Sequence, residues 1–178
     1  MKGIFSKLPA DTLAAALAPV AKRCEQLDWA VDLYSGPLRY QDWIDESPGS
    51  LMSYHRAQEG LPMGWFARGF LPRYADRLIV DEWSCYLGFD SRTLDAAELV
   101  RLLGDGRALS ARPALFGVVE EHGLLFMLRV ARGWWEAYTP DAVLMEQLRL
   151  GWDGVWIDSD KWGMSPERSG RSEKKMRL

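Results

Sequence analysis

The chain has 178 residues, 48% of them hydrophobic and 26% charged. These are the proportions of one ordinary globular domain and exclude wholesale disorder. No run approaches the roughly 18 consecutive apolar residues of a membrane-spanning helix, and Cys24 and Cys85 alone are too few for a disulfide scaffold. Charge is uneven: residues 161–178 carry +4 and the rest of the chain −7, for a net −3.

An acidic body repels phosphate backbones, which argues against nucleic acid as the main ligand. The basic end reads as a solvated tail, residues 164–178, behind a single domain at 1–163. Near the start, Lys2 and Lys7 precede an alanine-rich stretch that a secretory leader could also use. Asp11 interrupts it, however, and Leu13, Leu17, Val20 and Leu27 fall on one helical stripe, so a helix over 11–27 is the better reading. Pro19 should kink or split it. A cytoplasmic setting with both cysteines as thiols follows as the expectation.

Residues 29–47 hold Trp29, Tyr34, Tyr40 and Trp43 around the turn Ser35-Gly36-Pro37, which suggests short extended segments. Residues 47–64, with Pro48, Gly49 and Pro62, read as a long loop with a short helical piece. The apolar run from Leu78 to Phe89 reads as one strand, or two broken at Asp81-Glu82. A helix follows over 95–103, with Asp95 and Glu98 spaced as in a capping box and Gly104 ending it. Residues 114–139 suggest a three-stranded meander: strands at 114–120, 124–130 and 134–138 around turns at 121–123 and 131–133. In it, the face of Phe126 and Leu128 should be the more buried, because Arg129 on the other must reach water. Thr139-Pro140 fits the start of a helix that presents Val143, Leu144, Leu148 and Leu150 to the core and closes at Gly151. A last strand runs from Trp152 to Ile157. The fold class expected is α+β, an antiparallel sheet containing the meander with helices packed on one face.

The motifs of catalysis are missing. Gly104-Asp105-Gly106 follows a helix and lacks the third glycine of a dinucleotide loop. The two cysteines and two histidines have no metal-ligand spacing, and Asp158-Ser159-Asp160 fails as a calcium loop because its fifth position is Trp162. No cofactor or metal is therefore expected. Acidic groups do bracket two strands, Asp81 and Glu82 beside Trp83, and Asp153 and Asp158 beside Trp156. Were those strands neighbours, a carboxylate pair in an aromatic cleft could serve a hydrolase acting on a carbohydrate or similar polar substrate.

The reading preferred is a non-catalytic protein-binding module, of the kind that immunity proteins and toxin inhibitors represent. It would capture a partner with a basic surface through acidic groups and exposed rings. The residues expected at that surface are Trp43, Asp45 and Glu46, together with Trp135 and Glu136. Trp134 and Trp135 must point to opposite sides of a strand, so one of them can lie outside the main core. The sequence leaves the oligomeric state open.

Overall fold

A computed structural model describes residues 1–7, 13–32, 52–57, 61–66, 68–69, 71–72, 75, 84–103, 114–131 and 134–161. One antiparallel sheet organises them. Its strands are β1 (Lys2–Lys7), β2 (Asp28–Asp32), β3 (Met52–Ala57), β4 (Leu61–Phe66), β5 (Cys85–Phe89), β6 (Leu125–Ala131), β7 (Trp134–Tyr138) and β8 (Val155–Asp158). They lie side by side in the order β3-β4-β2-β5-β6-β7-β1-β8. The protein is α+β, as the sequence implies.

Helices cover both faces, where one was expected. On one face, α1 (Leu13–Leu17), a three-ten turn (Ala18–Val20), α2 (Ala21–Cys24) and α5 (Ala142–Gly151) pack on Ile4, Trp29, Val31, Tyr86, Leu125, Met127 and Trp135. On the other, α3 (Ala96–Leu103) and α4 (Ala114–Glu121) pack on Ala30, Cys85, Leu87, Phe126, Leu128 and Tyr138. The physical reason is visible in β5, whose five residues are all buried: a strand apolar on both sides must be covered on both.

Three strands consecutive in sequence, β5, β6 and β7, are also adjacent in the sheet. The first of them is Cys85–Phe89, and residues 114–120, expected as that first strand, lie in α4 instead. Leu115 and Val119, four apart, bury one helical stripe while Gly117 faces solvent. Gly123 (φ 65°) ends the helix, and the Leu124 N–H closes back on the Val119 carbonyl at 3.0 Å. Glycine's freedom at positive φ makes that exit into β6 possible.

Other local signals hold. Pro19 sits in the three-ten turn that separates α1 from α2. Asp95 Oδ1 accepts the Glu98 N–H at 2.8 Å at the start of α3. The cap of α5 lies two residues later than expected: Asp141 Oδ1 accepts the N–H groups of Val143 and Leu144, each at 3.0 Å. Leu144, Met145 and Leu148 point inward, whereas Val143 and Leu150, expected to face the core, are exposed. Residues 52–57 and 61–66, expected within a loop, are the paired strands β3 and β4. Among the described residues Pro62 pairs with Arg56 of β3 and lies ahead of the Met63–Phe66 stretch that meets β2, a place near a strand end where proline is tolerated.

Candidate functional site

Two of the expected surface residues are core residues. Trp135 and Glu136 are both fully buried. Trp135 lies under α5 and α1, with Trp152 at 6.5 Å and Tyr86 at 6.0 Å between ring centroids. Glu136, on the opposite face, accepts a hydrogen bond from the Tyr138 hydroxyl at 2.8 Å. Burial, then the Glu136 charge, pushes the Tyr138 hydroxyl well above the usual phenol range. The two tryptophans do point to opposite faces, but the half-buried one is Trp134, edge-on to Phe5 and beneath the Lys7 ammonium at 4.9 Å. Trp43, Asp45, Glu46, Asp81 and Glu82 lie outside the described residues.

The strands bracketed by acidic groups are not neighbours. β6, β7 and β1 separate β5 from β8, four strand spacings or about 19 Å. Asp90, at the end of β5, belongs to an ion cluster that ties strand ends together. Arg68 bridges Asp28 and Asp90, at 3.5 and 2.9 Å, and Arg92 binds Asp90 at 2.5 Å. The Arg92 guanidinium and N–H hold the Asp90 carboxyl well below the usual carboxylate range.

One row of buried polar groups crosses the sheet on the α5 side. Ser6 faces Trp135, Trp135 faces Arg129, and the Arg129 N–H bonds to the Ser84 carbonyl at 3.0 Å. All four residues are buried, so Arg129 does not reach water as expected. Among the described residues, the Trp135 indole nitrogen is buried without a hydrogen-bond partner. No group of three or more His, Cys, Asp or Glu side chains among the described residues is placed to hold a metal ion, and none of the described helices is long and apolar enough to cross a membrane.

The candidate surface is β8, which among the described residues forms an edge of the sheet. It is held firmly from behind. Trp152, which follows α5, is buried and its indole N–H donates to the Ala16 carbonyl at 2.9 Å. The Ser6 hydroxyl donates to the Trp152 carbonyl. Asp153 takes the turn at φ 50°, a left-handed conformation that Asp accepts more readily than most residues, and the Gly154 N–H donates to the Arg149 carbonyl at 2.8 Å. The strand that emerges is exposed: Trp156 retains 51% of its accessible surface and Val155 56%. Asp153, Asp158 and Asp160 are exposed beside them. Lys2, across from Asp158 in β1, offsets part of that charge. Of the residues expected at a functional site, Asp153 and Asp158 are thus both exposed on the segment that carries Trp156, Asp158 on the same face as the ring. The alternation of Trp156 with Asp158 on one face was readable in the sequence; that β8 is an edge strand was not. Scans of protein-family models, curated proteins and solved structures find no match to this chain.

Proposed function

We propose that the protein is a non-catalytic protein-binding module, of the immunity or inhibitor kind, that captures a basic partner on the β8 edge. The observation that carries this reading is a half-exposed tryptophan on a firmly seated edge strand, with exposed Asp158 on the same face and exposed Asp153 and Asp160 just beyond the strand's two ends. Monomer surfaces rarely leave a tryptophan open in this way without a use for it, and aromatic anchors ringed by charge are the usual centres of binding energy. The acidic rim would steer a basic partner into fast encounter. A cytoplasmic setting, with both buried cysteines as thiols, is part of the same proposal.

The test begins with affinity purification on the wild-type chain and continues with reconstitution from two purified proteins. Trp156→Ala should weaken the reconstituted complex by more than about 2 kcal/mol. Asp158→Lys should chiefly slow association, and its effect should shrink with added salt. A reconstituted complex indifferent to both substitutions would overturn the reading.

A further inference from the structure

The ladder geometry of β8 says how such a partner would sit. The Ser159 N–H donates to the Met1 carbonyl at 3.0 Å, in the register that sets Lys2 opposite Asp158 and Ile4 opposite Trp156. Inward bonding alternates along an antiparallel ladder. Val155 and Ile157 therefore bond to β1, while the backbone N–H and C=O groups of Trp156 and Asp158 face the open side. Among the described residues no strand lies there. The side chains of the same two residues stand on one face, because they are two apart. Backbone donors, backbone acceptors, an aromatic ring and a carboxylate thus repeat together at the spacing of a paired strand.

We infer, resting on the reading above, that the partner adds an antiparallel strand to β8. This strand carries a Lys or Arg opposite Asp158 and, two residues later, an apolar side chain opposite Trp156. Main-chain bonds supply a sequence-independent share of the affinity and the two alternate side chains supply specificity. Charge selects this occupant over a second copy of the same chain, which would bring another Asp153, Asp158 and Asp160 to the same edge. In the antiparallel direction the partner reads basic-x-apolar from its N-terminal side.

The probe is a capped peptide, acetyl-Thr-Lys-Thr-Leu-Thr-Thr-amide, titrated into the isotope-labelled full chain and followed by amide NMR shifts. A second peptide carries N-methyl groups on its Lys and Leu nitrogens, which keep the side chains and remove the two donors that would face β8. The expected result is saturable shifts at the Trp156 and Asp158 amides, with binding at least tenfold weaker for the methylated peptide. Equal binding of the two peptides, shifts confined elsewhere, or no binding would overturn strand addition. The surface reading falls separately, if the reconstituted partner ignores Trp156→Ala and Asp158→Lys. A further arm replaces Arg171, Lys174, Lys175 and Arg177 by Gln in the full chain. Movement of the β8 amides without peptide would assign the edge to the chain's own basic segment and overturn the proposal.

Discussion

Gly3 tests whether the β1–β7 pairing is as tight as described. Gly3 lies opposite Tyr138, whose ring covers the space where a side chain would be. A Cβ at position 3 would collide with Cε1 and Cδ1 of that ring and stand 2.8 Å from the Ala137 carbonyl oxygen. The ring has little freedom to move away. It is fully buried, with Phe116 and Phe126 at 4.8 and 6.0 Å between centroids, and its hydroxyl is bonded to the buried Glu136. Overpacking of this kind costs about 1–3 kcal/mol. Displacing Tyr138 would also cost its hydroxyl's bond to the Glu136 carboxylate, about 1–3 kcal/mol more. Gly3→Ala should therefore destabilise by about 2–6 kcal/mol, a fall of at least about 4 °C in Tm for a chain of this size. Urea denaturation followed by tryptophan fluorescence would measure it. Tyr138→Ala in the same background should relieve part of the loss, with a coupling of about 0.5–3 kcal/mol. A Gly3→Ala protein within about 0.5 kcal/mol of wild type, or strict additivity with Tyr138→Ala, would refute the argument.

Gly117→Ala should do the opposite: a Cβ there meets nothing within 4 Å, so better helix propensity should stabilise α4 by about 0.5–1 kcal/mol in the same urea assay, and a loss would mean that 114–121 is not helical. Asp141→Ala removes the acceptor of two N–H groups and should cost about 0.5–2 kcal/mol, whereas Thr139→Ala, at the cap position first expected, should cost less. Burial pushes the Cys24 thiol from 9.0 up to about 12; a group raised on folding contributes stability below its unfolded value and loses it as pH climbs. Stability should therefore decline above about pH 9, and Cys24→Ala should flatten that decline; identical pH slopes would contradict the buried thiol.

Local signals proved legible wherever the cause was local. Pro19 breaks a helix by its own ring, Asp95 caps by its own carboxylate, and the β6–β7 pair announces itself by two apolar runs around a glycine. What failed depended on partners distant in sequence. Residues Lys2–Lys7 gave no strand signal because Ile4 and Phe5 are buried on opposite faces, which erases the period-two pattern. Val118 and Val119 suggested a strand, and only the helical stripe of Leu115 with Val119 reveals α4. The candidate site shows the same division. That Trp134 and Trp135 point to opposite faces follows from strand geometry. Which of them is fully buried depends on the helices laid over each face, and adjacent residues carry no trace of that.

The position of β1 between β7 and β8 also has a consequence for synthesis. Lys2–Lys7 leaves the ribosome ahead of the other described strands, yet both its partners, Trp134–Tyr138 and Val155–Asp158, come well over 100 residues later. At ~5–20 residues per second, the strand waits on the order of ten to thirty seconds for them. During that interval Ile4 and Phe5 have no neighbour to bury them, and the amino-terminal strand is available to chaperones or to the wrong edge of another nascent chain. The half of the sheet from β2 to β5 can pair earlier, because its strands fall within residues 28–89. The growing sheet should therefore be half built, with the earliest of its described strands the last to be enclosed.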